Sequence, residues 1–164
     1  MGYRLKIGDM FSIPTKIGLG FFQVTPHFKN FPLVRVIDFI NSEVPENIEK
    51  LASMPYKFFT LTFVVQMANK KISRLIGNAK IPDDAVEFPP MVGGGGFWPD
   101  GTQQRFETFD RGIFVERIDT LTDEQKKMTD DGIIGAPVLI SYIEKNWRPE
   151  QSSTRTGIRQ SRII

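Results

Sequence analysis

Through the first half of the chain, apolar and polar residues fall in short runs with the period of strands. Asp9–Ile13 and Gly20–Thr25 ("GFFQVT") are two such runs, and "KIGLG" between them supplies the glycines of a hairpin connection. Leu33–Ile40 ("LVRVIDFI") makes a third, alternating at Val34, Val36 and Asp38. In "SEVPENIEKLASMP", Pro45 suits a first helical turn and Pro55 follows the end, which predicts a helix over Pro45–Ser53. Ile48 and Leu51 then share its buried stripe. Lys57–Gln66 ("KFFTLTFVVQ") is β-branched and aromatic enough to predict a strand, as is Ile72–Ile76, closed by a Gly77-Asn78 turn.

The second half is less regular. Pro82, Pro89 and Pro90 break up "KIPDDAVEFPP". Gly112–Ile118 alternates as a strand, and Thr122 with Gln125 has the spacing of a capping box that opens a helix over Asp123–Met128. Ala136–Trp147 predicts a terminal helix, with Pro137 in its first turn. Strands in series, without regular alternation with helices, argue against a doubly wound parallel sheet. The fold class expected is mainly β, of α+β type. It would be a small curved antiparallel sheet or SH3-like open barrel with a short inserted helix and C-terminal helices.

A length of 164 residues predicts one globular domain, taken as residues 1–147. The chain has no cysteine, so disulfides, thiolate metal sites and cysteine nucleophiles are excluded. With a single histidine, His27, no metal cluster built on several histidines can form, and no metal or other cofactor is expected. The N-terminus lacks the apolar core of a signal peptide, and the longest apolar stretches are about half of a spanning helix. A soluble cytoplasmic protein with no membrane partner is expected. Net charge is +2, but residues from Arg148 onward carry +3, leaving −1 for the rest. A body so near neutrality does not predict a nucleic-acid surface. Residues 148–164 read as a disordered basic tail that does not pack.

"MVGGGGFWPDGTQQRF" is the stretch that most invites a chemical reading. A phosphate loop would need Gly-Lys-Ser/Thr opening a helix, and here Phe97-Trp98-Pro99 follows the glycines. "WPDG" instead fits a type I turn, giving a mobile glycine arm with a rigid aromatic tip. Phe97 and Trp98 either fold back as a lid over the core, the favoured reading, or stand out as anchors for a partner. Acidic residues gather at Asp83, Asp84 and Glu87 and again at Asp123, Glu124, Asp130 and Asp131. Such clusters are most simply solvated faces, and alternatively patches that meet a basic partner. His27 lies between strands with no assignable catalytic companions.

The opening "KIGDMFSIP", followed by the glycine hairpin and "GFFQV", resembles the start of the immunity protein 26 family of bacterial polymorphic toxin systems. "KISRLIGNAKIPDDAVEFPPMV" is similar to that family's later segment, with Ser73-Arg74 standing where a Trp would be expected. The resemblance covers residues 6 to about 92. It implies a binder, not an enzyme, whose partner is a cognate toxin domain neutralised inside the producing cell. On that reading Phe97, Trp98, Asp100, Asp83, Asp84 and Glu87 are the candidate contacts. The alternatives are a small ribonuclease on an SH3-like barrel, which would recruit Arg35, Arg74 and Arg105, and a nucleic-acid module that uses the basic tail.

Overall fold

The structure, a computed structural model, describes residues 2–156. In chain order the strands are β1 (Asp9–Thr15), β2 (Gly18–Lys29), β3 (Phe31–Asn41), β4 (Tyr56–Thr62), β5 (Arg74–Asn78), β6 (Met91–Gly94), β7 (Phe106–Asp110), β8 (Ile113–Ile118), β9 (Thr129–Asp130) and β10 (Ile133–Ile134). The helices are α1 (Ile48–Ala52), α2 (Val64–Asn69), α3 (Asp123–Lys126), α4 (Ala136–Glu144) and α5 (Ser153–Thr156). The protein is mainly β with two small mixed sheets and no closed barrel.

The chain divides into two compact units. The first comprises Met1–Phe88 and Gly132–Trp147, the second Pro89–Asp131 and Arg148–Ile164. In the first, six strands lie in the order β10-β4-β3-β2-β1-β5, antiparallel except for β10 on β4. Register shifts at Met10/Phe11, Gly20/Phe22, Val24/Phe28 and Val36/Ile37 mark bulges, which bend and twist a sheet.

Both faces of this sheet are covered, which explains why its strands are buried almost without alternation. On one face Phe11, Ile13, Phe22, Val24, Val34, Val36 and Phe58 pack with Val64 and Met67 of α2 and Leu139 and Ile143 of α4. On the other, Met10, Phe21 and Ile37 pack with Leu51 and Ala52 of α1. Helix α4 approaches so closely that a Cβ on Gly20 would lie 2.9 Å from two carbons of Ile143. Asn47 caps α1, its side chain accepting from the Lys50 amide at 2.8 Å, so the helix begins at Ile48 and not at the expected Pro45.

The expected strand Lys57–Gln66 stops at Thr62, and "VVQMAN" continues as α2. A short apolar run has no period of its own, and Val64 and Met67 are buried as one helical face. The expected Gly77-Asn78 turn is instead the end of β5.

The second unit holds a four-stranded sheet, β8-β7-β6-β9, antiparallel except for β9 on β6. Its apolar cluster is small: Val92, Phe106 and Leu121, with Ile118 and Met128 against them. Thr122 and Gln125 form the predicted capping box of α3. Residues 149–156, expected in the unstructured tail, form a 3₁₀ turn and α5. Arg155 is buried there, donating to the backbone oxygens of Lys126 at 2.7 Å and Met128 at 2.5 Å. The rest of that expected tail lies outside the described residues.

Candidate functional site

The glycine-rich stretch is a paired arm, contrary to the free loop expected. Strands β6 and β7 pair from Met91↔Phe109 to Gly94↔Phe106. Beyond them the pairing continues: Gly95 donates to Arg105 O at 3.2 Å, Gln104 to Gly96 O at 2.6 Å and Trp98 to Thr102 O at 2.8 Å. Phe97 and Gln103 form an antiparallel bridge. The glycines are there for conformation and space. Gly94 and Gly95 take φ of 72° and 69°, a region that penalises any Cβ, and a Cβ on Gly95 would overlap the Phe106 ring.

The arm ends in the predicted "WPDG" turn, closed by Gly101 N–H donating to Trp98 O at 2.8 Å. Asp100 Oδ1 accepts from the Thr102 amide at 2.9 Å and the Thr102 hydroxyl at 2.7 Å. The hydroxyl bond, followed by the amide bond, holds the Asp100 carboxyl below its usual range. One rung below the turn, the side-chain Nε2 of Gln103 donates to Thr154 O at 2.9 Å and fastens the arm to α5. At the end of this assembly Trp98 is 56% exposed and Phe97 half-buried. Trp98 is therefore not the lid favoured from the sequence.

The remaining candidates lie in the other unit. Asp83 and Asp84 open a 3₁₀ turn, and both are exposed, as is Glu87. Asp83 faces Lys80 across 3.8 Å. Of the second acidic group, Asp123 and Glu124 meet Lys126 and Lys127 at 3.6 and 3.3 Å. The six expected contact residues thus fall in two sets: Phe97, Trp98 and Asp100 on the hairpin tip in the second unit, and Asp83, Asp84 and Glu87 in the first. His27 belongs to β2, not a loop, and its Nε2 donates to Val86 O at 2.7 Å while the ring meets Phe88 at 4.9 Å.

Four features were missed in the sequence. Strand β8 is the edge of its sheet and carries Ile113, Phe114 and Val115 outward, with Ile113 71% exposed. The alternation of "GIFVERI" announced a strand, but not that it would lack a covering layer. Arg35 is buried. Its Nε donates to Gln23 Oε1 at 2.7 Å, and its terminal nitrogens donate to Met54 O at 3.4 Å and to Ala52 O. Arg105, in turn, is engaged by Asp119 at 2.8 Å. Finally, Ser73 is buried with its hydroxyl lacking any hydrogen-bond partner. Among the described residues no group of carboxylates and histidine is placed to hold a metal, and no helix is long and apolar enough to cross a membrane. Compared with protein-family models, curated proteins and solved structures, the chain matches none.

Proposed function

We propose that this chain is a toxin-neutralising binder of the immunity-protein type, acting by occupying the surface of a cognate toxin domain. The observation that carries this reading is Trp98. It is a large aromatic side chain, 56% exposed, at the tip of a hairpin whose backbone is bonded to its last turn. Trp is enriched among interface hot spots, and a tip ordered before binding loses little further entropy when it docks. The apolar edge strand β8 adds a second surface in the same unit, of the kind that accepts strand pairing. No specific observation favours the ribonuclease reading. Of the arginines it would recruit, Arg35 is buried among neutral acceptors and Arg105 is held by Asp119.

The test is a growth rescue joined to a titration. Expressed alone in a bacterial host, the chain should leave growth unchanged, and with its toxin domain it should restore growth. Trp98→Ala should keep the melting temperature and weaken toxin binding by about 2 kcal/mol, roughly thirtyfold. Growth arrest by the chain alone would defeat the binder reading. A Trp98→Ala variant that melts early yet binds normally would remove Trp98 from the interface.

A further inference from the structure

Among the described residues, four strands form the edges of the two sheets: β5 and β10 in the first, β8 and β9 in the second. An open edge presents unpaired N–H and C=O groups, and proteins blunt it by shortness or by charge. Strands β9 and β10 are two residues long. Strand β5 opens on Arg74, with Leu75 its one large exposed apolar residue. Strand β8 does the opposite. Ile113, Phe114 and Val115 are consecutive and 71%, 51% and 56% exposed. Such runs are avoided in sequences unless something uses them. The charges of β8 follow the run, and Arg117 is taken by Glu107 at 2.8 Å.

The backbone decides what fits this edge. Arg111 and Gly112, at φ 49° and 76°, make the two-residue turn between β7 and β8. The Asp110–Ile113 pair beside such a turn is hydrogen-bonded and the next pair, Phe109–Phe114, is not. Phe114 therefore turns its own N–H and C=O outward, while those of Ile113 face β7. Turned about a two-fold axis at Phe114, a second copy of β8 runs antiparallel to the first. The two Phe114 residues then exchange both backbone bonds, and Ile113 of each copy lies opposite Val115 of the other. The Phe109–Phe114 ring contact, 6.2 Å between centroids, continues into the second copy. The same register brings the Arg111 turn of each copy beside Glu116 of the other, two exposed groups of opposite sign. Backbone bonding, apolar surface and charge thus match in one register, as a contact between identical surfaces requires.

We propose that β8 is a self-association surface, pairing antiparallel with β8 of a second copy of this chain. A six-residue strand buries less than the roughly 1,600 Å² of a standard interface, so the dimer is weak and forms as concentration rises. It uses the sheet edge and not Trp98, which carries the toxin reading, so the two fail separately.

The experiment is sedimentation equilibrium of the full chain from about 1 μM to about 1 mM, joined to amide hydrogen exchange. The mass should rise from 18.7 kDa toward twice that value. Over the same range the Phe114 amide should pass from fast to slow exchange, while the Ile113 amide, bonded to β7, keeps one rate. Ile113→Lys should weaken the dimer by about tenfold or more, because the change acts twice across the axis. Phe114→Pro should abolish it, since proline removes the outward N–H and leaves the bonds to β7 in place. Leu75→Lys, the same kind of change on the β5 edge, should leave association as in the parent. Ile113 is largely in solvent, so its variant keeps the fold and decides the matter even where the proline variant does not fold. A mass of 18.7 kDa at every concentration overturns the proposal, whatever else covers β8. So does a dimer that survives Ile113→Lys, that Leu75→Lys abolishes, or that forms without slowing Phe114 exchange. A chain that stays single until a toxin strand protects Phe114 would assign the edge to that partner instead.

Discussion

Among the described residues, each unit buries one arginine, and each arginine closes the C-terminal end of a short helix. Arg35 reaches the carbonyls of Ala52 and Met54 after α1, and Arg155 those of Lys126 and Met128 after α3. A cation at the carbonyl end of a helix meets the negative end of its dipole. The two differ in how completely they are satisfied. Arg35 also donates to Gln23 Oε1, and Gln23 in turn donates to Ala79 O at 2.9 Å, so strands β2 and β3, helix α1 and the end of β5 meet at one node. Arg155 leaves its second terminal nitrogen buried and unpartnered. The difference follows from the layers around them. The first unit wraps a sheet on both faces and can afford an internal polar node. The second has only a small apolar cluster, so one basic side chain from the chain's last described turn substitutes for a core.

The comparison breaks most visibly at Arg35. Burial draws its guanidinium down to about 10, against the opposing charge of Asp84 and the Tyr56 hydroxyl, so it is still a cation at neutral pH. Arg35→Ala would strand the Gln23 acceptor and two carbonyls in a dry core. A loss of about 3 kcal/mol or more is expected, and a melting temperature lower by roughly 10 °C. Thermal unfolding measures this, and a shift of only a degree or two would show that water replaces the arginine.

Arg155→Ala should cost less, about 1–2 kcal/mol, because the side chain removed was never fully paired. Its effect should also be local. Amide exchange should rise in α3, β9 and the hairpin arm, while the amides of β1 to β3 keep their protection. Equal loss of protection across both sheets would mean that the units unfold as one, and the contrast drawn between them would lose its basis.

How much of this was legible in the sequence depended on whether the signal was local. The hairpin of β1 and β2, the strand β3, the capping box at Thr122 and the "WPDG" turn each rest on residues a few positions apart, and each formed. Helix α2 was misread because "FVVQMAN" has strand-like composition, and only burial of Val64 with Met67 makes it helical. Four consecutive glycines looked like freedom. Gly93 and Gly94 are strand residues and Gly94 and Gly95 are left-handed, a geometry specified by Arg105 and Phe106 ten or more positions away. The buried roles of Arg35, Ser73 and Arg155 have no local signature, since which arginine is covered depends on what the fold lays over it. The exposure of Trp98 was open for the same reason, because lid and anchor share one sequence.

The smallest expected effect separates the units by pH. At the hairpin tip, Asp100 is fully open to solvent yet holds its proton less readily than a free carboxylic acid, chiefly because of the Thr102 hydroxyl. A carboxyl depressed on folding stabilises above its unfolded value, about 3.9, and that contribution disappears as pH falls through the folded value. The tip should therefore loosen in acid while the node at Arg35, whose hydrogen bonds involve no carboxylate, stays intact. Trp98 lies two residues from Asp100 and reports the change. The second tryptophan, Trp147, is stacked on Tyr142 at 4.0 Å and would obscure it, so the measurement needs a Trp147→Phe background. There the fluorescence anisotropy of Trp98 should fall as pH drops below about 4, and Thr102→Val should move the midpoint upward. Anisotropy that is flat through the acid range, or a midpoint unmoved by Thr102→Val, would mean that the backbone rungs alone hold the tip and that the Asp100 bond adds nothing to its order.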